Sequence, residues 1–128
     1  AAAGAESSGG AEVPSGSKAQ KVVSIAKSYV GTPYVWGGNT PSGWDCSGFT
    51  RYVYGKVGVN LPRSSGAQKG AGKVVPRSQA QPGDIMWHPG HVGIYAGDGK
   101  MVDARNKRKG TVYTSTSWMS DAVYIRVL

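Results

Sequence analysis

HVGIYAGDGKMVDA, residues 91–104, alternates apolar with other residues on both sides of Gly97-Asp98-Gly99 and reads as a β-hairpin. Alternation puts Val92, Ile94 and Ala96 on one face, and His91, Gly93 and Tyr95 on the other. If the turn pairs Gly93 with Asp103, then Ile94 meets Val102 and Val92 meets Ala104, which completes an apolar face. Asp103 then falls diagonal to His91 on the opposite face, within reach of a carboxylate–imidazole hydrogen bond. A slip of one residue would send Asp103 to the wrong face, so the apolar pattern favours the register that joins the two. Gly93, beside His91, predicts space above the sheet where a helix bearing Cys46 can approach closely.

Outward from this hairpin, period-two segments predict strands at 84–88, 91–96, 100–105, 111–114 and 122–127, with a Pro82-Gly83 turn before the first. The N-terminal half has a helical period instead. Ser17 reads as an N-cap, and Ala19, Val22, Val23, Ala26, Tyr29 and Val30 recur at helical spacing until Gly31 and Pro33 end the helix. Tyr34 to Trp44 reads as a Gly-rich loop. A second helix runs from Cys46 to about Val57, with Phe49, Val53 and Val57 on one stripe, and a short one spans Arg63 to Ala71. Helices first and antiparallel strands after make the fold α+β, with N-terminal helices packed on an antiparallel β-sheet. Residues 1–16 (AAAGAESSGGAEVPSG) are small and polar and read as a flexible linker or disordered tail, so one domain is expected over 17–128.

The chain has 128 residues, enough for one core. It holds no run of about 18 apolar residues, so no membrane span is expected, and residues 1–16 lack the features of a signal peptide. One cysteine excludes an intrachain disulfide. The 15 basic against 7 acidic residues give +8, which favours anionic partners.

The one cysteine stands at a chemically telling position. Cys46 follows Asp45, a good N-cap, and opens a helix. Free N–H groups and the positive end of the helix dipole stabilise a thiolate there and can receive an oxyanion. A lone cysteine is often only a small buried hydrophobe. Cys46 together with His91 and Asp103, however, supplies the nucleophile, base and orienting group that covalent catalysis requires.

The motifs GTPYVWGG (31–38), DCSGFT (45–50), LPRSS (61–65), PGDI (82–85) and HVGIYAGDGKMVDA (91–104) resemble, in order, those of the NlpC-type cysteine endopeptidases of the bacterial cell wall. The resemblance covers about residues 17–128 and implies a papain-like α+β core. It further implies cleavage of γ-D-glutamyl bonds in peptidoglycan stem peptides, before diaminopimelate or lysine, by a secreted protein of the cell wall or extracellular space. By position it makes Cys46 the nucleophile, His91 the base and Asp103 the orienting residue. Family members often carry histidine at the third position; aspartate is a departure, though a carboxylate stabilises an imidazolium. The resemblance also makes Tyr34 a donor to oxyanion or substrate, Asp45 a partner for a free substrate amine, and Ser47, Arg63 and Ser65 the holders of the D-glutamate α-carboxylate. Trp36 and Trp44 are wall or core residues.

His88 and His91 form H-x-x-H, but the pair straddles Pro89-Gly90 and lacks further ligands, so neither metal nor cofactor is expected. The basic run Arg105 to Lys109 (RNKRK) reads as a solvated loop or a dock for anionic wall polymers. No nucleic-acid motif is present. A monomer is the default. The alternatives are a non-catalytic wall-binding module, or an amidase or acyltransferase acting on another amide.

Overall fold

The computed structural model describes residues 17–128; the expected linker at 1–16 lies outside the described residues. Helix α1 (Lys18–Ser28) begins where Ser17 Oγ accepts from the Gln20 N–H at 3.1 Å, the predicted cap. Helix α2 (Cys46–Gly55) begins at Asp45, whose Oδ1 accepts from the Gly48 N–H at 2.8 Å. Helix α3 is only Ser65–Gln68, extended by a 3-10 turn to Ala71. It starts later than predicted because Ser64 takes the Ala67 N–H and becomes its cap.

The main sheet holds six antiparallel strands: β3 (Lys73–Val75), β4 (Ile85–His88), β5 (His91–Gly97), β6 (Lys100–Asn106), β7 (Gly110–Ser115) and β8 (Val123–Arg126). Their order is β3-β8-β4-β5-β6-β7. The α+β architecture is the expected one. Three strands were not expected: β3, and the pair β1 (Asn39–Thr40) and β2 (Gly43–Trp44) inside the predicted loop. Two or three residues are too few to display a period.

In the β5–β6 hairpin Ile94 pairs with Val102, as the apolar pattern requires, and a bulge between Tyr95 and Gly97 leads into the turn. Alternation then sorts the sheet into two faces. Ile85, Val92, Ile94, Val102, Ala104 and Ile125 pack with Val22 and Ala26 of α1 and Phe49, Val53 and Tyr54 of α2 in the main core. Met86, Met101, Met119 and Tyr124 form a smaller cluster. The expected space above Gly93 is not taken by a helix. A Cβ there would lie 2.6 Å from Met101 Cε and 3.0 Å from Asp103 Cβ, so the neighbouring strand fills it. The helices pack on the face that Val92 and Ile94 present.

Glycine contacts seat the first turn of α2. A Cβ at Gly48 would lie 2.1 Å from the Gly38 carbonyl oxygen, and one at Gly38 would lie 2.2 Å from that of Gly43. The β1–β2 hairpin is thereby pressed against the end of α2 that carries Cys46.

Candidate active site

Cys46 is the first residue of α2 and is 8% exposed. His91 is the first residue of β5, which α2 contacts. The His91 Nε2–H donates to Asp103 Oδ2 at 2.8 Å. Its Nδ1 is left for the Cys46 sulfur, the second polar group acting on the ring. Asp103 is completely buried and His91 nearly so. Three residues far apart in sequence are thus brought together. Burial disfavours the imidazolium, but the Asp103 carboxylate and the Cys46 sulfur outweigh it and raise His91 from 6.5 to about 9. His91 therefore carries its proton at neutral pH.

Arg105 belongs to this cluster and not to the basic loop that the sequence places it in. Its Nε donates to Asp103 Oδ2 at 2.7 Å, and its Nη2 donates to Asp103 Oδ1 at 3.0 Å and to Thr114 Oγ1 at 2.7 Å. The guanidinium lies 3.9 Å from the centroid of the Trp118 ring, which meets the His91 ring edge-on at 5.2 Å. Only Lys107, Arg108 and Lys109 of the run's cations are exposed. Nothing in the sequence singles out Trp118. Arg105 had one legible signal: two residues after Asp103, it shares a strand face with it. His88 stands at the rim, its Nδ1–H donating to Asp121 Oδ1 at 2.9 Å and its ring 6.2 Å from that of His91.

Asp45, Ser47 and Arg63 form a second cluster beside Cys46. Arg63 Nη1 donates to Asp45 Oδ1 at 3.1 Å and to Ser47 Oγ at 2.9 Å; Nη2 donates to Asp45 Oδ2 at 3.2 Å and to the Gly38 carbonyl at 3.1 Å. Burial opposes ionisation of Asp45. Arg63 and the Gly48 and Gly37 N–H groups overcome it and hold the carboxyl below its ordinary value. Tyr34 is half-buried. Burial, with Cys46 and Asp45 close by, pushes its phenol up, so it stays protonated as a donor. Ser65 lies outside the network; its carbonyl accepts from Trp87 Nε1 at 2.8 Å. Buried Gln68, which sequence reasoning missed, ties α3 to α2: its Nε2 donates to the Ser47 and Pro62 carbonyls, and its Oε1 accepts from Thr50 Oγ1. A glutamine in a helical stretch has no pattern that would reveal this.

This arrangement, a helix-opening cysteine beside a strand histidine, can be set beside known proteins. The profile of the NlpC/P60 family matches residues 31–127. The chain belongs to the NlpC/P60 family. A Listeria monocytogenes relative named probable endopeptidase p60 is 43% identical over 90 residues, which are 66% of this chain and 19% of that protein. A Bacillus subtilis relative named gamma-DL-glutamyl hydrolase is 40% identical over 116 residues, 82% of this chain and 28% of that one. The chain thus spans less than a third of either relative. The solved NlpC/p60 domain of the peptidoglycan hydrolase SagA superposes with a TM-score of 0.78 at 38% identity, covering 84% of this chain and 97% of that one. The peptidoglycan hydrolase RipB of Mycobacterium tuberculosis gives 0.79 at 30%, covering 87% and 65%. These likenesses agree with the papain-like α+β fold.

Within this NlpC/P60 domain the two tryptophans of the Gly-rich segment part company. Trp44 is core, its Nε1 donating to Thr111 Oγ1 at 2.8 Å, whereas Trp36 is 80% exposed. Among the described residues no three His, Cys, Asp or Glu side chains are grouped to hold a metal ion, and no helix is long and apolar enough to cross a membrane.

Proposed function

We propose that this domain is a cysteine peptidase that cleaves the γ-D-glutamyl amide bond of peptidoglycan stem peptides. The observation that carries the reading is Cys46 at the N-terminus of α2 beside a His91 anchored on Asp103. The Bacillus relative's name supports the D-glutamyl substrate.

In this mechanism Cys46 Sγ attacks the γ-carbonyl carbon, with its proton on His91. The N–H groups at the start of α2 and the Tyr34 hydroxyl receive the oxyanion. The carbon–nitrogen bond breaks as His91 gives its proton to the leaving amine, and a thioester remains. The neutral imidazole then takes a proton from water, the hydroxide attacks the thioester, and the carbon–sulfur bond breaks to free the γ-carboxylate and Cys46. Asp103 holds the ring throughout. Arg63 and Ser47 receive the D-glutamate α-carboxylate, and Asp45 receives a free amine. In the free protein Asp45 and Arg63 neutralise each other, which keeps both charges in place until a zwitterionic ligand arrives. The bond cut precedes diaminopimelate or lysine. The site of action is the cell wall, outside the cell, and the basic surface supports docking on anionic wall polymers.

Mass spectrometry of defined muropeptides tests the reading, with diaminopimelate and lysine stems side by side. The parent is expected to cut after γ-D-glutamate and Cys46→Ala to lose at least about a thousandfold in rate. No cleavage by the parent while iodoacetamide still alkylates Cys46 rapidly would redirect the chemistry to another amide. An inert Cys46 would leave a wall-binding module.

A further inference from the structure

Asp103 has more countercharge than an orienting residue needs. It is fully buried, and both of its oxygens accept from Arg105 while one also accepts from His91. Were His91 its only partner, loss of the His91 proton would strand a buried carboxylate without a cation, a costly state. The imidazolium would then persist through the step that requires a neutral base. Arg105 removes that constraint because a guanidinium keeps its charge at any relevant pH. It is also built in, forked onto Asp103, bonded to Thr114 and stacked on Trp118.

We infer that Arg105 is a positioning residue which keeps Asp103 ionised and limits how tightly His91 holds its proton, so that His91 can act as base in thioester hydrolysis. The inference rests on the proposed peptidase reading. The charged or titratable groups facing His91 are Cys46 from α2, Asp103 and Arg105 from β6, and His88 from β4 with its partner Asp121. Arg105 is the one among these whose charge is constant, and its removal leaves the others in place.

The test is a ¹³C NMR titration of the two histidine rings in the parent, Arg105→Gln and Arg105→Lys, alongside muropeptide hydrolysis. In Arg105→Gln the His91 midpoint should rise by about one pH unit, a tenfold tighter hold on the proton. Its kcat should fall about tenfold while the thioester accumulates in intact-mass spectra and KM falls in parallel, because acylation is spared. Arg105→Lys, which keeps the charge without the fork, should shift the midpoint by less than about half a unit and recover most of kcat. An unmoved midpoint with only a lower melting temperature would reduce Arg105 to a structural residue and overturn the inference. If Arg105→Gln does not fold, Arg105→Lys decides: lost turnover without thioester accumulation would also overturn it. A parent that cleaves no γ-D-glutamyl stem while the Arg105→Gln midpoint still shifts would instead sink the peptidase reading and leave the electrostatic coupling standing.

Discussion

At the scale of single residues, His91 links the site to stability. Its proton is held more tightly in the folded chain, at about 9, than the ordinary 6.5 of an unfolded histidine. A raised histidine contributes its full stabilisation below pH 6.5, and that contribution fades as the pH climbs through about 9. Urea midpoints measured at pH 6, 7.5 and 9.5 should therefore decline in the parent. The decline should be clearly smaller in His91→Gln, which has no proton to lose. Equal slopes in the two proteins would mean that the Asp103–His91 pair does not couple to folding.

At the scale of elements, the first turn of α2 is where geometry leaves least room. It carries Cys46, is capped by Asp45, and touches the β1–β2 hairpin through Gly48 and Gly38. The Gly48 hydrogen points at the Gly38 backbone carbonyl, 2.1 Å from where a Cβ would sit, and that carbonyl already accepts from the Asp45 N–H and from Arg63 Nη2, so it cannot swing aside like a side chain. Gly48→Ala should thus cost about 2–3 kcal/mol by overpacking, read as a lower melting temperature, and should reduce hydrolysis by displacing Cys46 from His91. Retained stability and activity would show that the hairpin yields freely, and that the seat of α2 is less rigid than its packing indicates.

At the scale of the whole molecule, an ion pair with a buried carboxylate joins the turn before β4 to the last strand. Asp84 accepts from Arg126 Nε at 2.9 Å and Nη2 at 2.8 Å, and from the Gln81 N–H at 2.8 Å. Asp84 is nearly inaccessible while Arg126 reaches solvent, so Asp84→Ala should lose about 1–3 kcal/mol in denaturant unfolding, chiefly because the Gln81 amide loses its acceptor. The catalytic groups lie elsewhere, and the cut bond should not change. The net charge of +8 acts at the same scale. Retention on anionic wall preparations should fall steeply between about 50 and 300 mM salt. Replacing Lys107, Arg108 and Lys109 together by Gln should flatten that dependence while leaving hydrolysis of small soluble muropeptides intact. Salt-independent retention would remove electrostatic docking from the account.

The amino-acid sequence alone determined the helix caps at Ser17 and Asp45, the helical stripe of α2, and the hairpin that sets Asp103 beside His91. Each follows from local chemistry or from a repeat of two or 3.6 residues, so each leaves a periodic trace. The motif resemblance likewise pointed to Cys46, His91 and Asp103 before any distance was known. Tertiary structure alone decided what lacks such a trace. It seated α2 on the face opposite Gly93, paired β3 with β8, split Trp36 from Trp44, and closed Arg63 onto Asp45 across the chain. It also drew Arg105 out of a run of basic residues and onto Asp103. A run of like charges reads as solvent-facing in sequence, and only the pleat of β6 turns its first member inward to a buried carboxylate that needs a permanent counterion.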